Sequence, residues 1–219
     1  MWVHQSPRDV AVWILDALFA DDPAWPDRAG VPSVPRLTPF QEEGARRVRT
    51  LLDRWGGAIL ADAVGLGKTH IALDICDERA RAGHEVVVVV PASLRHHWRP
   101  LLSATPGPWR MVSHTQLSRG TAIRPARGPR LVVVDEAHRF RNPKTRRYAA
   151  LARLVSGVPV GRPAEVLLVT ATPMNNDVED LYSLVRLFPP DDGLREAGVP
   201  SLCSAFRPGG TRGSWDPAL

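Results

Sequence analysis

The spacing of apolar residues along this chain alternates between two patterns. Short unbroken apolar runs, such as the five valines at 86–90 and the run at 131–134, read as strands buried on both faces of a parallel sheet. Between them lie longer stretches where apolar residues recur at helical spacing and charged residues fill the remaining positions. The alternation predicts a helix over 40–55 closed by Gly56 and Gly57, then a strand around Ile59. A helix over 71–82 ending at Gly83 follows, then a central strand over 85–90 ended by Pro91. Next come a helix over 93–102, a weaker strand over 109–112, a short helix around 115–117 and a proline- and arginine-rich loop over 123–130. The series closes with the strand at 131–134, a helix over 145–155, a strand over 166–169 and a helix over 178–188. Strands alternating with helices predict an α/β fold: one domain with a mostly parallel sheet sandwiched by helices.

The flanks follow other patterns. Ser6-Pro7-Arg8-Asp9 has the form of a helix start and 10–19 carries a covered face, while 21–35 is rich in proline and acidic residues. Residues 1–36 therefore read as an N-terminal helical extension and linker, and 37–190 as the domain. After Pro190 the pattern decays, so 191–219 is expected to be a poorly structured tail, with no element over 207–219.

Composition changes this picture little. With 219 residues and 44% hydrophobic content the chain can bury a full core. The cysteines, Cys76 and Cys203, lie far apart and outside any metal-ligand spacing, which suits a reducing compartment. No apolar run approaches the length needed to cross a bilayer, and the start lacks the order of a signal peptide. The expectation is a soluble cytoplasmic protein, nucleoid-associated if prokaryotic, with no membrane partner. The net charge of +5 suits a polyanionic partner, but Lys68 and Lys144 are the sole lysines. An excess of arginine and proline of this kind is also what a GC-rich genome produces.

Two segments carry chemistry. Ala61-Asp62-Ala63-Val64-Gly65-Leu66-Gly67-Lys68-Thr69 joins a strand to a helix through a glycine-rich turn. Such a turn aims backbone N–H groups at a phosphate, with the helix dipole adding to the attraction. Lys68 supplies charge for the β- and γ-phosphates, and the Thr69 hydroxyl a ligand for Mg²⁺. The general consensus has a glycine where this chain has Asp62. The second segment, Asp135-Glu136-Ala137-His138, closes a buried strand, where a parallel sheet presents side chains to a ligand. Asp135 can hold the Mg²⁺ and Glu136 can polarise an attacking water.

In their order, these motifs resemble the first RecA-like lobe of superfamily-two helicases, and within them the SWI/SNF-like DNA translocases. The resemblance covers roughly residues 37–190. Leu37-Thr38-Pro39-Phe40-Gln41 is similar to the adenine-reading motif, which implies that Gln41 pairs with the adenine edge. An aspartate at the position of Asp62 is usual in this family, whereas Ala63 stands where an acidic residue is commoner. Val90-Pro91-Ala92-Ser93-Leu94 with Trp98 resembles a motif that contacts the DNA backbone; Ser93 carries that implied role and Trp98 reads as packing. Ser113-His114-Thr115-Gln116-Leu117-Ser118 resembles a further backbone-contacting segment, more weakly. Asp135 to Asn142 matches the acidic box with its following basic residues. Leu167 to Asn176 resembles the coupling motif, in which Thr170 and Thr172 relay between the box, including His138, and the bound strand.

The resemblance implies a RecA-like P-loop domain that uses ATP and Mg²⁺, with Asp62, Gly65, Leu66, Gly67, Lys68 and Thr69 around the nucleotide. It implies a DNA-dependent ATPase moving on duplex DNA, with Lys68, Asp135 and Glu136 as its catalytic groups. Nothing after Pro190 resembles the second RecA-like lobe that supplies arginines to the γ-phosphate. The chain is therefore expected to hydrolyse weakly alone and to act with a second lobe, possible as a separately encoded partner. Two alternatives stay open: a non-hydrolysing nucleotide- or DNA-binding remnant, and an RNA helicase or restriction-enzyme motor subunit.

Overall fold

The structure, a computed structural model, describes residues 37–61, 65–120, 126, 128–157, 164–173, 178–197 and 199–206. The expected N-terminal helix over 10–19 and its linker, Asp62, most of the loop at 123–130 and the segment 207–219 lie outside the described residues.

The elements run α1 (Pro39–Trp55), β1 (Gly57–Leu60), α2 (Lys68–Arg81), β2 (Glu85–Val90), α3 (Arg95–Leu102), β3 (Trp109–Ser113) and α4 (His114–Ser118). They continue with β4 (Arg130–Asp135), α5 (Arg146–Ser156), β5 (Glu165–Val169), α6 (Val178–Val185) and α7 (Leu202–Ala205). Local chemistry accounts for the helix ends. Thr38 caps α1 through the Gln41 N–H while the Gln41 side chain returns to the Thr38 N–H, and Gly56 closes the helix in the left-handed conformation. Thr145 caps α5 in the same way through the Tyr148 N–H.

Three boundaries differ from the pattern-based expectation. The helix expected over 93–102 begins as a 3-10 turn, Ala92–Leu94, because Pro91 breaks the chain direction there, and turns α-helical only at Arg95. The helix expected to reach 188 ends at Val185, and its last residues fold into a turn against β1. Residues 191–206, which pattern alone left without an element, hold a 3-10 turn (Arg195–Ala197) and the short α7, tied down by the buried Leu202.

The five described strands form one parallel sheet in the order β1-β5-β4-β2-β3. Alternate residues of the valine-rich strands feed two cores. Val86, Val88, Val90, Leu131, Val133, Leu167 and Val169 pack beneath α1, α2 and α3. Val87, Val89, Val132, Val134, Val166 and Leu168 pack against α4, α5 and α6. Helices on both faces explain why these strands are apolar throughout. The N-terminal ends of the strands are laced by ion pairs. Glu85 joins Arg130 of β4 and Arg110 of β3, each at 2.8 Å, and Arg79 joins Glu165 at 2.7 Å. The opposite edge, where the strands end, is left for chemistry.

Candidate functional site

Parallel registration brings the two chemical segments to one edge. Leu60, the last residue of β1, and Asp135, the last of β4, are both level with Val169 of the β5 strand between them. The two chain ends are thus about 10 Å apart, two strand spacings. From Leu60 the chain turns through the glycine loop into α2. Gly65 (φ 88°) and Gly67 (φ 75°) take left-handed backbone that an L side chain resists. Gly67 is the N-cap of α2 and supplies no side-chain acceptor, so the first turn keeps the anion-seeking character of an uncapped helix start. Lys68 and Thr69 are the first two residues of that turn.

Gln41 lies against this loop. Its Nε2 donates to the Leu66 carbonyl at 3.4 Å, and a Cβ on Gly67 would sit 2.1 Å from the same nitrogen. Its Oε1 accepts from the Thr38 N–H at 3.0 Å, so α1 is tied by one amide to both its own cap and the loop.

Along β4 the residues Leu131 and Val133 face the core beneath α3, and Asp135 continues that alternation. Its Oδ2 accepts from the Trp98 indole N–H at 2.8 Å and its Oδ1 from the Glu136 backbone N–H at 2.9 Å. Burial pushes the Asp135 carboxyl above the usual range, while these two donors and the nearby Lys68 charge pull it back. Lys68 and Asp135 therefore share one electrostatic environment. Glu136 adopts φ 52°, the one left-handed non-glycine residue among those described. That turn swings its carboxylate to His138, whose Nδ1 lies 3.0 Å from Oε2. With Nδ1 protonated, the ring donates to Glu136, and Thr170 Oγ1 is a longer second contact at 3.4 Å. Thr170 is buried and also accepts from the Thr172 N–H at 3.2 Å. The box and the Thr170 turn are thus linked through one imidazole.

Ser93 is exposed in the 3-10 turn after β2, and Thr172 is exposed beyond β5. Within the segment at 113–118, Thr115 and Gln116 are exposed while Ser113 and His114 turn inward. Ser113 and His114 are both 4% exposed, Ser113 capping α4 and His114 donating through Nε2 to the Asp135 carbonyl at 3.0 Å. They are occupied inside the protein because α4 follows directly from the edge strand and packs against α5. Burial drives the His114 pKa down to about 4, so the ring is neutral at ordinary pH.

Two residues at the site escaped sequence reasoning. Trp98 reads from sequence as packing, and His114 stands out only as part of the 113–118 segment, yet both bond Asp135. Their partners lie 37 and 21 residues away, beyond any local pattern.

The residues present fit a magnesium–triphosphate. The left-handed glycines leave room without Cβ atoms, the helix start and Lys68 offer positive potential, and Thr69 with Asp135 supplies the hard oxygen donors such a cation takes. Among the described residues there is no cluster of three metal-ligating side chains, and no helix is long and apolar enough to cross a membrane.

Known proteins share this fold and part of this sequence. Residues 112–192 match the family model of the SNF2-related domain. The chain is 34% identical over 181 residues to an uncharacterized ATP-dependent helicase, YqhH, of Bacillus subtilis, covering 72% of this chain and 30% of that protein. It is 27% identical over 176 residues to the Caenorhabditis elegans homolog of SWI/SNF-related matrix-associated actin-dependent regulator of chromatin subfamily A-like protein 1, covering 70% of this chain and 24% of that one. In structure it is similar to the Sulfolobus solfataricus SWI2/SNF2 ATPase core in complex with dsDNA. The TM-score there is 0.61 at 24% identity, over 73% of this chain and 37% of that one. The chain thus spans less than a third of these curated relatives.

Proposed function

From the premise that this chain carries an SNF2-related domain of the SWI/SNF-like superfamily-two helicases, we infer that it is the ATP-binding lobe of a DNA-dependent ATPase that moves on duplex DNA. One observation supports this most. The head of α2, with Lys68, and the half-buried Asp135–Glu136 turn lie at the same edge of the sheet, close enough for the Lys68 charge to act on Asp135.

Each residue then has a task. The Gly65–Gly67 backbone and the start of α2 cradle the phosphates, and Lys68 adds a point charge to the β- and γ-phosphoryl oxygens. Thr69 and Asp135 would hold Mg²⁺, which supplies charge neutralisation at those oxygens. Glu136 accepts a hydrogen bond from the attacking water and draws off its proton as the γ-phosphoryl transfers. Gln41 has one amide hydrogen and one carbonyl lone pair beyond its present bonds with which to meet the adenine edge. Thr170 and His138 carry the state of Glu136 toward Thr172, and Ser93 and Thr172 are the exposed residues offered to the DNA backbone.

A second RecA-like lobe completes this reading, with arginines that stabilise the transferring phosphoryl by roughly 10³ to 10⁵-fold in related NTPases. The protein works in the cytoplasm, associated with the nucleoid if the source is prokaryotic.

The test uses this lobe joined to a second lobe, with ATP turnover measured with and without duplex DNA. Lys68→Ala is expected to abolish the stimulated turnover. Glu136→Gln is expected to keep nucleotide binding while losing about 10² to 10⁴-fold in rate. Stimulated turnover that survives both changes rejects the site. Stronger stimulation by RNA than by duplex DNA rejects the substrate, and turnover absent from the unmutated protein leaves a nucleotide-binding remnant.

A further inference from the structure

Asp135 ends a strand whose alternation turns its side chain to the α3 side of the sheet, at the rim of the apolar layer, where it is half-buried. A carboxylate partly withdrawn from water relies on protein donors to fix its rotamer. The structure supplies two. The Glu136 N–H takes Oδ1 at 2.9 Å and the Trp98 Nε1–H takes Oδ2 at 2.8 Å. The first comes from the next residue of the same chain and moves with the carboxylate. The second comes from α3, across the core, and is the one that fixes the plane of the group against the body of the lobe.

Trp98 is suited to this in three ways. Its side chain is completely buried, packed with Leu102, Val88 and Val90 in the layer under α3, so the ring has no freedom to swing away. The indole N–H is a donor with no acceptor capacity, and when buried it needs a partner. Above all, it is neutral. An arginine or lysine in the same place would hold the carboxylate equally well but would cancel the negative charge that a cation is attracted to. An indole orients the group and leaves that charge intact, with lone pairs on both oxygens still unused.

We propose that Trp98 is a positioning residue for the cation site: its indole N–H locks Asp135 in the orientation that receives the Mg²⁺ of the bound nucleotide. This deepens the reading of an ATP site and rests on it. Outer hydrogen-bond partners of metal ligands typically change metal affinity by about 10 to 100-fold when removed. Deleting the indole N–H is therefore expected to weaken the magnesium-dependent part of nucleotide binding and to leave the magnesium-free part, held by Lys68 and the glycine loop, where it was.

The experiment is a titration of the full chain with N-methylanthraniloyl-ADP, excited directly and followed by anisotropy, once with Mg²⁺ and once with EDTA. Two variants remove the donor. Trp98→Phe keeps an aromatic ring, and site-specific incorporation of β-(3-benzothienyl)alanine at position 98 keeps the full bicyclic shape with sulfur in place of N–H. Both are expected to bind the EDTA-state nucleotide as the unmutated chain does and to lose about tenfold or more of the gain given by Mg²⁺. If Trp98→Phe fails to fold, the isosteric variant decides alone. A benzothienyl variant that keeps the whole magnesium gain overturns the proposal. An unmutated chain with no magnesium gain overturns the ATP site itself, a failure distinct from the first because it appears before any substitution is made.

Discussion

His114 shows how a single buried side chain sets a condition on the whole site. Its Nε2–H is committed to the Asp135 carbonyl, its ring lies edge-on to Phe140 at 4.9 Å, and its Nδ1 is buried with no hydrogen-bond partner among the described residues. A second proton would have to enter that apolar position, which is why its pKa falls from 6.5 to about 4. In the unfolded chain the ring protonates near its ordinary value. Between those pH values the unfolded state binds the proton and the folded state does not. The stability His114 contributes is thus fully present above about pH 6.5 and is lost progressively as the pH falls toward about 4. Urea unfolding measured across this range should show that loss, and His114→Gln, which keeps a donor near the Nε2 position without titrating, should flatten it. Lys68, Thr69, Asp135 and Glu136 were legible in the sequence because each sits in a short segment whose chemistry is local. Trp98 and His114 were not, since what makes them matter is a carboxylate on another element, and neither spacing nor composition records that meeting.

At the scale of elements, the strands were the plainest part of the pattern, because a run such as the valines of β2 is intelligible only when both faces are covered. Strand order was hidden. That β5 inserts between β1 and β4, and so aligns Leu60 with Asp135, follows from long-range packing and leaves no mark within any one segment. The junction of β1 with the turn after α6 was equally hidden, and it is tight. A Cβ at Gly57 would lie 2.0 Å from Phe188 Cγ and 2.6 Å from its Cβ. Gly57→Ala should therefore cost about 1 to 3 kcal/mol of stability through overpacking, read as a lowered denaturation midpoint. Phe188→Ala, which removes Cγ and the ring, should cost less in the Gly57→Ala background than in the unmutated chain. Full additivity of the two changes would mean that the contact does not carry the effect.

In the molecule as a whole, the ion pairs of Glu85 and Glu165 lie at the N-terminal edge of the sheet and the reactive groups at the other. At one residue of the reactive edge stability and chemistry are directly opposed. Glu136 is held at φ 52°, a conformation that costs an L residue roughly 1 to 2 kcal/mol and that glycine or asparagine adopts more readily. Glu136→Gly should thus raise the melting temperature while ending turnover, and calorimetry beside an ATPase assay would show the two moving in opposite directions. An unchanged or lower melting temperature would mean that the His138 contact outweighs the backbone. The practical consequence concerns directed evolution: a library of this lobe screened for heat tolerance alone would be drawn to position 136 and would enrich inert clones.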